Sequence, residues 1–313
     1  MEYKDLILDK QGSIAYITLN RPEKLNTLSQ NIQQEFNDAL LDIEQDDAIR
    51  VFVVKGAGRC FCAGFDVSEP GIDTLGQADL GELGDNTDTG IRQNRRNEPW
   101  ARYAHIQLRR VNWRNNLWHN PKISIAQVHS YCLGAGLMVA AHCDLLVCSE
   151  DTLFAYPPIR YGSSVIFSIL PPWFLGVRKL KEMAYTGNMI DSHDAYNCGL
   201  VNRVMPMNKL EAEVNRIARV AANVPYPANM LSKLAINNYV DTFLGRDLGT
   251  KWAQSLNQMM EGSSVPGNIW TYISQEAASR GGASTMFSEI RDKFFEGDAL
   301  ARENAKTFSQ ETT

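Results

Sequence analysis

The sequence of 313 residues lacks any block of like charges and any apolar run long enough to span a bilayer. Its formal net charge is −5, and acidic and basic residues are interspersed. Binding to nucleic acid or to an anionic membrane depends on concentrated positive charge, and spanning a membrane needs a long apolar segment. The composition therefore argues against both kinds of partner. The N-terminal stretch MEYKDLILDK shows no signal or transit pattern, so a cytoplasmic location is expected.

Closely spaced metal ligands are lacking as well. The six cysteines form no C-x-x-C pair, and the five histidines form no H-x-x-x-H or HExxH pattern. These are the spacings typical of zinc and redox sites, and we therefore expect no bound metal. Five of the six cysteines lie in apolar or glycine-rich segments, which predicts that they are small buried hydrophobic residues.

In the first 205 residues, short apolar runs alternate with segments of helical periodicity. Residues 3–19 read as two strands broken at Gln11 and Gly12, which predicts a hairpin. Ser29 is the predicted N-cap of a helix. The apolar residues of this helix are Ile32, Phe36, Leu40 and Ile43. Runs typical of buried strands follow at residues 51–56, 123–128 and 144–149.

Two other segments differ in composition. Residues 70–106 are rich in Gly, Asp, Asn, Arg and Glu and have almost no apolar periodicity, which indicates a long inserted loop. Beyond residue 206 the sequence reads as successive helices separated by Gly or Pro breaks. We therefore predict an α/β core over residues 1–205, which contains the insertion, and a helical C-terminal oligomerisation part over residues 206–313.

Four segments, in this order, resemble the signature regions of the crotonase (enoyl-CoA hydratase/isomerase) superfamily. They are NRPEKLNTLS at 20–29, CFCAGFDVSE at 60–69, VHSYCLGAGLMVAAHCDLLVCSEDTLFAYPPIRYG at 128–162 and TGNMIDSHDAYNCGLVNRVMP at 186–206. One of these motifs alone is a weak signal, whereas four in order are specific. The resemblance implies a mixed α/β (α+β) fold, the crotonase/ClpP-like spiral of β-β-α turns with helices at the C-terminus. It also implies assembly into homotrimers or homohexamers.

The resemblance further implies an oxyanion hole made by two backbone N–H groups. The donors are the N–H of Phe65, after Gly64, and the N–H of Ala135, between Gly134 and Gly136. A thioester carbonyl becomes an enolate-like oxyanion when the α-carbon loses a proton, and each preorganised donor stabilises that charge by about 2.7–4 kcal/mol. The local string GAG has a simpler alternative, because small residues also suit a tightly packed corner between a strand and a helix.

An acyl-CoA thioester is the substrate that the resemblance implies, with no cofactor beyond the coenzyme A that the substrate carries. The candidate coenzyme A-binding residues are Lys24, Leu25, Ala63, Phe65, Asp66 and Val67. Lys24 would approach a phosphate, although an exposed lysine in a loop is often only solvated.

The sequence departs from the family pattern at both positions where the hydratases carry glutamates. Met138 occupies the first position and Pro158 the second, and neither side chain transfers protons. The candidates for a replacement acid or base beside the second position are Tyr156, Arg160 and Tyr161. The alternative is a rigid loop whose aromatic side chains pack. Weaker candidates are His105, Arg109, His119, His129 and the acidic residues of the insertion.

These features predict an enoyl-CoA hydratase/isomerase-like lyase or isomerase with non-standard acid/base residues. The alternatives are a C–C bond hydrolase or decarboxylase of a β-dicarbonyl substrate, a non-catalytic acyl-CoA binder, and an enzyme acting on a free diketone. A dinucleotide site is a further alternative because Gly134-x-Gly136 imitates the start of a G-x-G-x-x-G fingerprint. Val139 stands where the third glycine would be, which weakens that interpretation.

Overall fold

The computed structural model describes residues 3–66, 113–161 and 172–243, together with Ser279. The strands are β1 Leu6–Gln11, β2 Ile14–Leu19, β3 Val51–Gly56, β4 Ile123–Val128, β5 Tyr131–Leu133, β6 Leu145–Ser149, β7 Leu153–Ala155, β8 Ile190–Asp191 and β9 Arg203–Met205. The helices are α1 Gln30–Gln45, α2 Trp113–Trp118, α3 Ala135–His142, α4 Pro172–Thr186, α5 Ser192–Asn197, α6 Met207–Asn223 and α7 Tyr226–Phe243. The insertion predicted at 70–106 and the helices predicted beyond residue 243 lie outside the described residues.

A six-stranded sheet in the order β1-β2-β3-β4-β6-β9 forms the centre of the fold. β1 and β2 form the predicted antiparallel hairpin, and β2, β3, β4, β6 and β9 run parallel. The parallel register aligns Ile17 with Val54, Val54 with Ala126, and Ala126 with Leu146. Because side chains alternate along a strand, this row faces one side of the sheet and the intervening residues face the other.

The two faces of this sheet are covered by different elements. The row with Val54 and Ala126 belongs to the main core, to which α1 and α3 also contribute. On the opposite face, Leu210, Val214 and Ala218 of α6 pack against a second cluster that includes Val53. α6 follows the boundary predicted at residue 205, yet it covers the central sheet. The division into two parts stays a prediction, and the structure adds that the first helix of the C-terminal part packs on the core.

The amphipathic helix α1 begins where the sequence predicted. The Ser29 Oγ accepts a hydrogen bond from the Ile32 N–H at 3.1 Å, which satisfies a backbone donor of the first turn. The side chains predicted to face the core are buried; they are Ile32, Phe36, Leu40 and Ile43. Burial of each contributes about 1.5–3 kcal/mol before the entropic cost of ordering. Phe36 also meets Trp113 of α2 edge to face, with ring centroids 5.8 Å apart.

Helix α7 is attached to the core by a buried ion pair. Lys233 Nζ lies 2.7 Å from Asp144 Oδ2, and it also donates to the Lys122 carbonyl at 3.0 Å. The same carboxylate accepts the N–H and the hydroxyl of Ser124. Asp144 is thus a structural residue. Within the described ranges, no helix has the length and apolarity needed to cross a membrane.

A short second sheet, in the order β5-β7-β8, stands beside the central sheet. β5 is parallel to β7, and β7 is antiparallel to β8. Helix α3 follows β5 directly and leads into β6 of the central sheet. The chain therefore crosses between the sheets at residue 134, where the sequence has its Gly-Ala-Gly motif.

Candidate active site

The segment that follows β3, residues 60–66, runs between two partners, and we call it the first corner. On one side, the Ala63 N–H donates to Leu25 O at 3.0 Å, and Leu28 N–H donates to Gly64 O at 2.8 Å. On the other side, the Cys62 N–H donates to Tyr131 O at 3.0 Å, and Cys62 O accepts the Leu133 N–H at 2.9 Å. The corner is therefore hydrogen-bonded both to loop 20–29 and to β5.

The N–H of Phe65 takes no part in these backbone hydrogen bonds, because of the way the first corner pairs with Leu28. Phe65 and Leu28 form a parallel bridge, in which Leu28 bonds the carbonyl of Gly64 and the N–H of Asp66, which flank Phe65. The N–H of Phe65 itself points away from Leu28. Gly64 adopts φ +114°, a region that L side chains rarely enter. The turn at Gly64 and the bridge with Leu28 thus leave the Phe65 N–H unbonded, on the side of the first corner that faces away from Leu28.

The second corner lies between β5 and α3. Gly134 has φ 53° and ψ −115°, and the helix starts with Ala135. The carbonyl of Gly134 accepts the Met138 N–H at 3.2 Å, while the N–H of Ala135 is one of the first-turn donors that have no partner inside a helix. The helix places the positive end of its dipole at the same point. Ala135 has no positive φ, so its β-carbon is accommodated without strain.

The two corners lie against each other. A methyl group built on Gly64 would lie 3.3 Å from the Leu133 carbonyl oxygen and 3.7 Å from the Ala135 nitrogen. One built on Gly134 would lie 3.6 Å from the Gly64 α-carbon. The structure therefore brings the two predicted donors, the N–H groups of Phe65 and Ala135, to adjacent turns of the backbone. In the described part of the chain neither N–H donates to another protein group.

This sequence and this fold have counterparts among known proteins. The family model described as enoyl-CoA hydratase/isomerase matches residues 14–293. EchA13 of Mycobacterium tuberculosis, whose name assigns it to the enoyl-CoA hydratases, is 37% identical over 239 residues, which cover 74% of this chain and 72% of that protein. The chain belongs to the enoyl-CoA hydratase/isomerase family.

A second relative and a solved structure extend this result. The short-chain-enoyl-CoA hydratase of Clostridium acetobutylicum is 29% identical over 249 residues, which cover 76% of this chain and 82% of that protein. The crystal structure of an enoyl-CoA hydratase/isomerase from Xanthobacter autotrophicus superimposes with a TM-score of 0.74 at 27% identity and covers 93% of this chain and 99% of that chain. The predicted crotonase fold is therefore confirmed.

The two positions at which the resemblance places the hydratase glutamates are apolar here. Met138, in the first turn of α3, is 5% exposed and packs in the main core. Pro158 belongs to a 3₁₀ turn at Pro157–Tyr161, and its ring lies beside Gly134, with Cδ 3.9 Å from a methyl group built there. Apolar atoms thus adjoin the second corner, and neither position supplies a proton donor or acceptor.

The side chains predicted to replace the glutamates differ in their surroundings. Tyr156 is buried in the main core, which agrees with the packing alternative. The side chain of Arg160 lies against Gly187, where a methyl group would come within 2.8 Å of its Cγ. The backbone of Tyr161 ends the 3₁₀ turn, and its side chain lies outside the described residues. A role for these residues in proton transfer stays a prediction.

The residues predicted to bind coenzyme A lie in loop 20–29 and the first corner. Lys24 is exposed at the end of a 3₁₀ turn, and Leu25 is half-buried with φ 54°. Ala63 and Phe65 are half-buried in the first corner. Asp66 is buried, and its carboxylate pairs with Arg21 at 2.9 Å. The last of these residues, Val67, lies outside the described residues.

His129 and His119 have partners outside the two corners. His129 Nε2 lies 3.0 Å from the Gly58 carbonyl oxygen, so this nitrogen carries the proton and donates it to the backbone. His119 lies beside Asp241 of α7, at 3.6 Å. His129 thus ties two turns together, and a role for it as a replacement acid or base stays a prediction. His105, Arg109 and the acids of the insertion lie outside the described residues.

The cysteines near the corners are buried thiols. Burial raises the pKa of Cys62 to about 12 and that of Cys132 well above its ordinary value. Both thiols therefore remain protonated at neutral pH and are poor nucleophiles. Five of the six cysteines are buried, as predicted, and Cys198 is half-buried.

One residue of the site was missed by the sequence analysis. Asn26 is completely buried under the first corner, where its side chain makes three hydrogen bonds to backbone groups. The sequence did contain a signal for this residue. Asn26 lies in a loop with Pro22, and Asn is favoured in tight turns because it tolerates the left-handed backbone conformation.

Proposed function

We propose that this protein is an acyl-CoA enzyme that stabilises the enolate-like oxyanion of a thioester between the N–H groups of Phe65 and Ala135. The observation that carries this proposal is the contact between the two corners, each of which presents a backbone N–H outside its own ladder. Removal of one such donor from an oxyanion hole costs about 2.7–4 kcal/mol of transition-state stabilisation. A corner that served only for packing would not require two unbonded donors at the same place.

The reaction proposed first is enoyl-CoA hydratase/isomerase-like, with proton transfer by groups other than the two glutamates. Family membership supports this reaction class, and Met138 and Pro158 require the proton donor and acceptor to come from elsewhere. Coenzyme A enters as part of the substrate, and no further cofactor is proposed.

A second candidate is decarboxylation or C–C cleavage of a β-dicarbonyl acyl-CoA. The observation that favours it is the apolar character of Met138 and of the Pro158 ring beside Gly134. Loss of CO₂ from a carboxyl group attached to the α-carbon leaves the electron pair on that carbon, so the enolate forms without a protein base. Apolar surroundings also favour this step because they solvate the substrate carboxylate poorly.

The test is an assay of the purified full chain with straight, branched, aromatic and cyclic enoyl-CoA thioesters, and with α-carboxy (malonyl-type) and β-keto acyl-CoA thioesters. Absorbance of the conjugated enone and product masses are recorded together. Gain of water supports hydration, and loss of CO₂ or of an acyl fragment supports the second candidate. Exchange of α-protons in heavy water detects enolate formation without turnover. Binding of thioesters with no exchange and no product would instead mark a non-catalytic binder.

We also propose that the protein acts in the cytoplasm, as a homotrimer or homohexamer, without a bound metal. The mixed surface charge and the quaternary structures implied by the resemblance support these proposals. Sedimentation of the purified chain measures its oligomeric state directly.

A further inference from the structure

The two donors of the candidate oxyanion hole are held in different ways. Each N–H belongs to a peptide unit whose carbonyl oxygen accepts a hydrogen bond on its opposite side. The carbonyl of Gly134 is bonded by Met138 of the same helix, at 3.2 Å. The carbonyl of Gly64 is bonded by Leu28 of the distant loop 20–29, at 2.8 Å, and the Cys62 thiol of the same segment adds a weaker bond at 3.7 Å. The second donor therefore has a local support, whereas the first depends mainly on the position of that loop.

Asn26 fixes this loop against the core. It is completely buried, and its φ of 53° lies in the left-handed region. Its Oδ1 accepts the Arg21 N–H at 2.9 Å, while its Nδ2 donates to Ala57 O at 2.7 Å and to Cys60 O at 2.9 Å. One side chain thus joins the start of the loop, the exit of β3 and the beginning of the first corner.

The residues near Asn26 in the loop, Leu25 and Leu28, connect the loop by hydrogen bonds to the segment that contains the Phe65 N–H. Leu25 O accepts the Ala63 N–H, and Leu28 bonds Gly64 O and the Asp66 N–H. A trans peptide unit is planar, with its C=O and N–H pointing in opposite directions. The bond to Gly64 O therefore fixes the direction of the Phe65 N–H and polarises it as a donor.

We propose that Asn26 is a positioning residue for the Phe65 N–H donor and acts through loop 20–29. The proposal rests on the function proposed above for the two corners. Asparagine suits this position because it tolerates positive φ and provides one acceptor and two donors in a single short side chain. Removal of the Asn26 side chain should weaken hydrogen bonding by the Phe65 N–H and leave the second corner unchanged.

Asn120 provides a matched control. It is also buried, its Nδ2 donates to Leu40 O at 3.2 Å, and its Oδ1 accepts the Lys122 N–H at 3.0 Å. These contacts join α1 to the segment before β4, and none of them involves either corner. Asn120→Ala therefore removes a comparable buried amide without touching the loop or the donors.

The experiment compares the full-length protein with Asn26→Gly and Asn120→Ala, using acetoacetyl-CoA as the probe. Glycine keeps the positive φ and removes the amide. The enolate of this β-keto thioester absorbs in the near ultraviolet, so a pH titration gives the pKa of the bound probe. We expect the protein without substitutions to lower the pKa of the bound acetoacetyl-CoA below its value in free solution. Asn26→Gly should reduce the enolate-to-keto ratio at a given pH about tenfold, the effect of one hydrogen bond, and Asn120→Ala should leave it unchanged.

Amide hydrogen exchange of the same three proteins supplies a readout that does not depend on ligand. Asn26→Gly should speed exchange in peptides covering residues 60–66 but not in peptides covering residues 131–138. An unchanged probe pKa in folded Asn26→Gly, or equal acceleration in both segments, would overturn the proposal. If the unchanged protein leaves the probe pKa at its value in free solution, the proposed function fails, and hydrogen exchange alone decides the role of Asn26.

Should Asn26→Gly not fold, Asn26→Asp replaces it in the exchange measurement. Aspartate keeps the acceptor for the Arg21 N–H and loses only the two bonds to Ala57 O and Cys60 O. Asn120→Asp is then the control, because it places the same charge at a similarly buried position. Acceleration confined to residues 60–66 in Asn26→Asp supports the proposal, and its absence overturns it.

Discussion

The first and second corners each contain an unbonded N–H beside a glycine, but the structural reason differs between them. At the second corner the donor is free because α3 begins at Ala135, and a helix leaves its first N–H groups without partners. At the first corner the donor is free because the parallel bridge of Phe65 with Leu28 engages only the neighbours of Phe65. One donor is a product of local structure, and the other is a product of contacts between distant segments.

This difference determines how each donor can be altered. A substitution in α3 acts on its donor directly, while the helix beyond it is held by its own hydrogen bonds. A substitution near the first corner also disturbs loop 20–29 and β5, which bond the segment from both sides. We therefore expect the second donor to be removable with little loss of stability and the first to be coupled to folding.

Ala135→Pro is expected to have the largest effect on activity. Proline removes the N–H but is well tolerated at the first position of a helix, and the preceding residue is a permissive glycine. Turnover should fall about 100- to 1,000-fold, as for loss of one oxyanion donor, with the melting temperature nearly unchanged. The control is Gln30→Pro, at the first position of α1 after Ser29 in an extended conformation. Equal loss of activity in both variants would contradict the assignment.

The pair Phe65→Pro and Phe65→Ala tests the first donor in the same way. Both variants lose the packing of a half-buried phenyl ring against the core, but only proline removes the N–H. We expect both to lose stability and Phe65→Pro to be about 100-fold less active than Phe65→Ala. Unfolding in urea and steady-state kinetics measure the two effects. Similar activity in the two variants would show that this N–H is not a donor to the substrate.

Gly136→Ala tests how tightly the two corners pack. A methyl group at this position would lie 2.5 Å from the Cys62 carbonyl oxygen, which is backbone and cannot turn aside. The variant should lose about 1–3 kcal/mol of unfolding free energy. Gly12→Ala is the control, since nothing lies within 4 Å of a methyl group there and only its φ of +60° opposes the change. A larger loss in Gly12→Ala, measured by denaturant unfolding, would contradict the packing argument.

Alkaline pH should destabilise the folded protein equally through the two buried thiols, Cys62 in the first corner and Cys132 in β5. Burial raises the pKa of Cys62 to about 12 and also raises that of Cys132, so the folded protein holds these protons more tightly than the unfolded chain does. Their contribution to stability is complete below about pH 8.5 and is lost above it, by about 1.4 kcal/mol per pH unit for each thiol. Cys62→Ala and Cys132→Ala should each reduce this pH dependence by the same amount. Thermal unfolding between pH 8 and 10 provides the comparison.

Much of the fold was predictable because its signals are local. The hairpin at Gly12, the cap at Ser29 and the buried strand at 51–56 follow from turn chemistry, side-chain hydrogen bonding and short apolar runs. α6 shows the limit of such signals. Its periodicity marks a helix, but only the packing of Leu210 and Val214 shows that it covers the central sheet.

The candidate site was predictable where it resembles a family and not where it depends on this chain's own packing. The four motifs in order led to the predictions for Phe65 and Ala135, and the resemblance also places Met138 and Pro158 where the hydratases carry glutamates. They did not show that His129 bonds the Gly58 carbonyl. An imidazole in a turn has the same sequence signal whether it faces a substrate or a backbone oxygen.

By itself, the sequence predicted the hairpin, the helix after Ser29, three further buried strands and the resemblance to the family, because these are properties of residue type and spacing. The tertiary structure alone decided that the two corners touch, that Leu28 bonds Gly64 and that Asn26 lies buried beneath them. The physical reason is that a hydrogen bond between distant segments depends on their relative position. That position is fixed only when the sheets and helices pack into one core.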